Sequence, residues 1–492
     1  MIGVWGLVLT PLLTLAQAQL PAYNGRYGVG YVTIEVPVSD PRNTSNYTIS
    51  STGQPAFQLE TVLFSAYYPS SKNNESTKAS PPWLQNIDLI SLGIAESTNG
   101  SVTAQVVKIG LEALAGSAVI PAFTDVPIVN ATGYPVFIFS HGDTTLPEWY
   151  SHYLGSIAAD GNVVVAITHR DGSNAGSVVE IKGQPPKNVT YILPDQLRPP
   201  VNATGLAMLQ RAFRQAEVEE TVRVLKAIND GQGVDVYQSN SRGDGQTLAN
   251  WKGRLDFDKL VIGGHSFGAT SALDTIQSRQ VSNSTVRAGL TLDPGKESGP
   301  LSTNVQVPIL IPDSEAWSSQ PSVLFGKDFF TVVKTIAETS LNATNAGWFM
   351  TLLGTAHSSI TDAGLIAGSS LLSLFDSTAA NATLDPATAL AKYVNVSLEF
   401  FNYLKNGTVS DILAINVTDP TYSIRPPNSS TPGNETSFWE IHVAPISNAT
   451  GTSTVSSPGA SSTKKSTANR ELVASTGNFV FIATMLVIAM SV

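Results

Sequence analysis

The sequence contains no cysteine, which excludes disulfide staples, thiol nucleophiles and cysteine-ligated metal centres. Histidine is also scarce: six residues are scattered along 492 positions with no His-x-x-x-His pair, so a histidine metal site has no local signature. Only 13% of residues are charged, the formal net charge is -10, and the basic residues form no long run. That removes the electrostatic footprint expected of a nucleic-acid binder and leaves acidity that mainly favours solubility. With 42% hydrophobic residues, the chain is long and apolar enough to build a large core without covalent staples.

Long hydrophobic runs are confined to the two ends. Met1 to Ala18 is apolar and closes on the small-x-small pattern Ala16-Gln17-Ala18, the form of a secretory signal peptide cleaved after Ala18. Its bland alternative is a buried N-terminal helix. At the other end, Phe479 to Val492 is apolar but about 14 residues long, short of the roughly 20 that span a bilayer as a helix. A polar spacer and small residues around Ser466 precede it, the pattern that directs attachment of a glycosylphosphatidylinositol anchor, with a tail anchor as the alternative. The expected divisions are therefore a leader (1–18), a main domain (19–445), a Ser/Thr-rich stalk (446–468) and an anchor signal (469–492). About sixteen Asn-x-Ser/Thr sequons, among them Asn43, Asn99, Asn188, Asn283, Asn395 and Asn434, fit an N-glycosylated protein of the secretory route.

Between the ends, short apolar runs alternate with helix-compatible stretches. Val32–Val36 and Thr61–Tyr68 read as strands, and the polar 69–80 segment reads as an exposed loop. Val136–Ser140, Val163–Thr168, Leu260–Gly263, Ala288–Leu292, Pro308–Pro312 and Trp348–Leu353 are continuous apolar runs, as expected of parallel strands covered on both faces. Leu206–Asn229 has the spacing of an amphipathic helix, and a final helix is expected over Ala387–Leu404. The pattern predicts an α/β architecture: a mostly parallel sheet with helices on both faces.

In such sheets chemistry gathers beyond the carboxyl ends of the strands. Gly264-His265-Ser266-Phe267-Gly268 follows one strand and precedes a helix-compatible segment, which is the nucleophile-elbow context of the α/β-hydrolase fold. Ser266 is the candidate nucleophile; the alternative is a glycine-rich turn without chemistry. A serine hydroxyl needs a base, and the base needs an acid to orient it. Two histidines follow Ser266: His357, just past a strand, and His442, in a region rich in proline and sequons near the stalk; the position favours His357. For the acid, Asp293 and Asp313 each close a neighbouring strand, and both are chemically sensible. The oxyanion needs two backbone N–H donors. Phe267 supplies one and Asp143, in the loop His141-Gly142-Asp143, is the candidate for the other, with its carboxylate turned away and Gly142 allowing close approach.

These segments resemble the secreted, type II platelet-activating-factor acetylhydrolases, also called lipoprotein-associated phospholipases. The resemblance covers roughly residues 25 to 405 and runs through LFSAYYPS (63–70), FSHGDTTLPEWYS (139–151), AITHRDGS (166–173), LDFDKLVIGGHSFGATSALDT (255–275), LTLDPG (290–295), VPILIPDSEAW (307–317) and GTAHSSITD (354–362). By this resemblance the acid falls on Asp293, since the family carries an amide at the position of Asp313. The family's loop is HGLG-like, whereas Asp143 and Thr144 replace its apolar residue and second glycine; the 232–251 stretch is an insertion.

The resemblance implies a calcium-independent esterase without cofactor or metal, removing a short or oxidised sn-2 acyl group from a glycerophospholipid at a membrane surface. A broad extracellular carboxylesterase and a non-catalytic surface glycoprotein that retains the fold are the competing expectations.

Overall fold

The computed structural model describes residues 19–446, without 74–75, 320–321, 369–375 and 422–436. The leader, the anchor signal with Ser466, and the Asn434 sequon lie outside the described residues. No helix among the described residues is long and apolar enough to cross a membrane.

The core is one eleven-stranded sheet. Its strands are β1 (Gly28–Asn43), β2 (Gln58–Ser70), β3 (Phe123–Thr124), β4 (Tyr134–Ser140), β5 (Val163–Ile167), β6 (Leu255–His265), β7 (Gln280–Val281), β8 (Ser284–Leu292), β9 (Ile309–Ser314), β10 (Gly347–Leu352) and β11 (Trp439–Val443). They lie in the order β11-β10-β9-β8-β6-β4-β5-β2-β1-β3, with β7 paired to β8. The six strands from β10 to β5 are mutually parallel; β11 pairs antiparallel at one end, and at the other β2 pairs antiparallel with both β5 and β1, and β3 parallel with β1.

Alternation across the pleat explains why the parallel strands read as unbroken apolar runs. Along β4, Phe137 and Phe139 face one core, with α3 (Ser151–Ala159) and α8 (Pro386–Asn406). Val136 and Ile138 face the other, with α4 (Ala203–Ala227), α5 (Phe267–Ser278) and α7 (Phe329–Thr344). Both long helices expected from the sequence form close to their expected limits. Asn202 caps α4 through its side chain, and Asp385 caps α8 with Pro386 at the first position.

Three differences from the expectation have physical reasons. The 69–80 segment is not loop throughout, because Pro69 and Ser70 still pair with Val29 and Gly28 of β1. Helices α1 (Ile87–Ser97) and α2 (Ala104–Ala115) form in a region with no clear periodic signal; they pack on each other and on the first core. His442, in its proline- and sequon-rich stretch near the stalk, lies buried in β11: its Nδ1–H donates to the Asp419 carbonyl (2.6 Å) and its Nε2 accepts the Thr351 hydroxyl (2.8 Å). Burial pushes its pKa down to about 4, so it is a satisfied core histidine.

The insertion at 232–251 is largely at the surface but anchored to the core at a few points. Trp251 is fully buried, Asn240 accepts the Glu35 N–H (2.7 Å), and Arg242 pairs with the buried Glu35 carboxylate.

Close approach of β6, α5 and β4 depends on two glycines. A Cβ on Gly264 or Gly268 would collide with the Ser140 carbonyl oxygen. Gly268→Ala is expected to cost about 3 kcal/mol or more, because the obstacle is backbone and cannot rotate away. A chemical-denaturation midpoint equal to that of the wild type would contradict this.

Candidate active site

Ser266 stands between β6 and α5 at φ 56°, ψ -122°, a left-handed conformation that costs a non-glycine residue of order 1–3 kcal/mol. The turn is held from two sides. The Ser266 N–H donates to the Leu292 carbonyl (3.0 Å), and the Gly295 N–H donates to the Ser266 carbonyl (3.0 Å). Both partners flank Asp293, so the serine turn and the acid turn are one hydrogen-bonded unit.

Asp293 follows β8 and is buried, also at positive φ (45°). Its Oδ1 accepts the Ser314 N–H (2.6 Å); its Oδ2 accepts the Ser314 hydroxyl (2.6 Å) and the His357 Nδ1–H (2.9 Å). His357 comes from the loop after β10. That loop is anchored by Ala316 N–H donating to the Thr355 carbonyl (3.0 Å) and by Asp376, which accepts the Ser358 N–H (2.9 Å) and hydroxyl (2.7 Å). The structure thus brings Ser266, Asp293 and His357 together at the ends of β6, β8 and β10, with β9 between the last two, in the chain order serine, acid, histidine.

Asp313 lies one strand further, inside β9, and makes no contact with His357 in this network. It is buried, and its carboxylate has no side-chain hydrogen-bond partner. Burial, reinforced by the negative charge of Asp293, holds its pKa well above the usual carboxylate range, so the neutral acid is the form this site accommodates. An amide has nearly the shape of a protonated carboxyl. Asp313→Asn should therefore keep turnover within about threefold, whereas Asp293→Asn should lose about 10³-fold or more, because an amide carries no counter-charge and favours the wrong tautomer of His357. Ester hydrolysis by the two purified variants decides it, and the reverse pattern would exchange the roles of the two aspartates.

His265, the residue before the serine, was not singled out by the motif. Its ring lies 4.4 Å from that of His357. The Tyr150 hydroxyl accepts the Gly142 N–H (3.3 Å) and also meets His265 Nδ1 (2.9 Å). Burial, then the proximity of His357, lowers the His265 pKa well below the ordinary value. Nitrogen and oxygen atoms of His265, Asp293 and His357 come within 4.8 Å of one another, close enough in principle to hold a cation. Both Asp293 oxygens and the Nδ1 atoms of both histidines are already hydrogen-bonded, which leaves the Nε2 atoms of the two rings.

Phe267 is the first residue of α5, where backbone N–H groups have no partner within the helix. Across from it, Gly142 lies so near that a Cβ would come 3.2 Å from the Ser266 Cβ. Asp143 is exposed, and its carboxylate accepts the Tyr191 hydroxyl (3.1 Å), which draws the charge aside from the loop backbone. Thr144 takes φ 55° and donates its N–H to the Ser173 carbonyl (2.7 Å). A β-branched residue is strained there, at a position where glycine would be at ease. Thr144→Gly should raise the unfolding free energy by about 0.5 kcal/mol, relief of strain outweighing the added chain entropy. A loss above about 1 kcal/mol in urea denaturation would contradict that.

The HRD segment supplies support beneath this loop. Arg214, fully buried on α4, donates to Asp171 Oδ2 (2.7 Å), the His141 carbonyl (2.7 Å) and the Ser173 hydroxyl (2.6 Å), and lies 4.4 Å over the Phe267 ring. One guanidinium therefore ties both segments that carry the oxyanion candidates. His169 Nδ1 meets Glu217 Oε2 (2.6 Å) in the same buried layer. Asp362, five residues past His357, is buried and accepts from Trp83 Nε1 (3.0 Å), the Ser151 hydroxyl (2.6 Å) and the His152 N–H (3.1 Å); burial raises its pKa to about 7.

A parallel sheet with a serine elbow and an acid–histidine pair at its carboxyl edge defines an α/β-hydrolase. A ferulic acid esterase from Streptomyces cinnamoneus shares this fold: TM-score 0.52 over 82% of this chain and 97% of that one, at 15% sequence identity. The family model for platelet-activating factor acetylhydrolase, isoform II, matches residues 13–410, and the chain belongs to that family. It is 26% identical over 294 residues to the platelet-activating factor acetylhydrolase of Cavia porcellus (58% of this chain, 57% of that one). To that of Canis lupus familiaris it is 25% identical over 283 residues (57% and 56%). The matched part spans less than two thirds of these relatives' own length.

Proposed function

We propose that the protein is a serine ester hydrolase acting on phospholipids. The observation that carries this reading is Ser266 on a strained elbow hydrogen-bonded to the turn that presents Asp293 to His357.

In the reaction, Ser266 Oγ attacks the ester carbonyl carbon while its proton passes to His357 Nε2. The carbonyl π pair moves onto oxygen, which meets the N–H groups of Phe267 and Asp143. Collapse of this intermediate breaks the bond to the leaving alcohol, and His357 returns the proton to it. Water then repeats the sequence on the acyl-serine, with His357 again base and then acid. Asp293 holds the Nδ1–H throughout and offsets the imidazolium charge. Backbone donors meet the oxyanion, so this chemistry calls for no calcium and no cofactor.

The preferred bond is a short or oxidised sn-2 acyl ester, as in 1-alkyl-2-acetylglycerophosphocholine. The family membership and the names of the relatives support this choice. The apolar ends and the sequon density support passage through the secretory route, N-glycosylation and a lipid anchor at the cell surface.

A fluorophosphonate probe should label the wild-type chain and not Ser266→Ala. The purified enzyme should hydrolyse an sn-2 acetyl phospholipid with a higher kcat/KM than a simple p-nitrophenyl ester. Equal or poorer use of the phospholipid would reduce the reading to a general carboxylesterase, and an unlabelled wild type would remove it.

A further inference from the structure

The imidazole of His357 lies on an aromatic face that neither the motif nor the proposed mechanism uses. Its ring is 3.7 Å from that of Trp317, with the planes only 13° apart. Trp317 belongs to the short helix α6 (Glu315–Ser319) that follows β9.

The indole is fixed by the same residues that hold the acid. Its Nε1–H donates to the carbonyl of Pro294, the residue after Asp293 (2.9 Å). The Trp317 N–H donates to the Ser314 hydroxyl (3.3 Å), and that hydroxyl donates to Asp293 Oδ2 (2.6 Å). Lys296 Nζ donates to the Trp317 carbonyl (2.6 Å). The Asp293 bond fixes where Nδ1 points within the ring plane but leaves rotation about that bond open. Parallel contact with a tethered indole removes that freedom. Moreover, the ring becomes a cation only after it takes the serine proton, and a cation on the face of tryptophan is stabilised where a neutral ring gains far less. The contact therefore favours the transition state over the ground state, which is the condition for raising kcat.

We propose that Trp317 is a positioning residue of the site, holding the plane of His357 and stabilising its imidazolium form during acyl transfer. The proposal rests on the serine-hydrolase reading.

The other groups facing this stack act on the same charge. Asp293 and Asp376 are the carboxylates beside His357, and the neutral His265 ring flanks it. Lys296 lies over the Trp317 ring at 4.5 Å, near Asp313 and Asp293; burial lowers its pKa to about 8. The two carboxylates and His265 are not replaced when the indole is changed to another uncharged side chain, and Lys296 loses one ring face but keeps its bond to the residue 317 carbonyl.

The decisive pair is Trp317→Phe and Trp317→Met, both smaller than tryptophan, only one keeping an aromatic face. With p-nitrophenyl acetate, Trp317→Phe should stay within about threefold of wild-type kcat and Trp317→Met should fall about tenfold, with KM alike in both. Loss of imidazolium stabilisation should also move the acid limb of the kcat/KM profile to lower pH in Trp317→Met, by about half a pH unit or more, so its deficit narrows in acid. Equal kcat and equal acid limbs in the two variants would overturn the proposal and leave Trp317 as packing. Thermal melting of both variants separates a folding defect from a catalytic one, since the comparison is between two variants of similar volume. Fluorophosphonate labelling at Ser266 in the wild type tests the underlying reading by itself: its absence would remove that reading whatever the Trp317 variants do.

Discussion

The tight turn at Ser266 is the constraint on which the rest of the site depends. A serine at φ 56°, ψ -122° persists only where its surroundings over-determine it, and here they do so from three directions. Strand β6 delivers the chain into the turn, α5 takes it away, and the Leu292 carbonyl and Gly295 N–H clamp it from the neighbouring acid turn. Glycines at 264 and 268 let both elements pass the Ser140 carbonyl at a distance no side chain allows. The same closeness brings Gly142 against Ser266, so the proposed oxyanion loop lies beside the proposed nucleophile.

A second layer converts buried charge into rigidity. Arg214 would be costly in the interior if unpaired, yet its donors meet Asp171, the His141 carbonyl and Ser173, and its flat face meets Phe267. Arg170 and Arg242 converge on the buried Glu35 in the same manner. These pairs lie behind the site rather than in it. They hold backbone segments from β1, β4, β5 and α4 in register, so the loop that approaches Ser266 has little freedom to relax. Removing one partner of such a pair typically costs about 3–5 kcal/mol because the other charge is stranded.

Much of the architecture was legible along the chain because parallel strands covered on both faces must be apolar throughout, and long helices must repeat at 3.6 residues. The runs at 136–140, 163–168, 260–263 and 288–292 are strands for that reason, and the candidates Ser266, Asp293 and His357 stand out by their places after such strands. Helices α1 and α2 were not legible, because α1 is apolar over most of its surface and short, and packing against each other and the sheet decides their state. Strand β11 was hidden among proline and sequons; its pairing with β10 is a long-range event that local composition does not report.

What the sequence determined by itself was the order of chemistry: a glycine-flanked serine after an apolar run, acids and a histidine after later runs, and a family resemblance that favoured Asp293. What only the tertiary structure decided was partnership. Asp293 and Asp313 are equivalent as letters after neighbouring strands, but one faces Ser314 and His357 while the other is buried without a side-chain partner. Tyr150, His265, Arg214 and Trp317 carry no local signal, since their roles arise from segments far apart in the chain that the sheet brings together. Distance along the sequence and distance in space are set by different forces: local propensity and burial period make the elements, and packing of their faces decides which side chains meet.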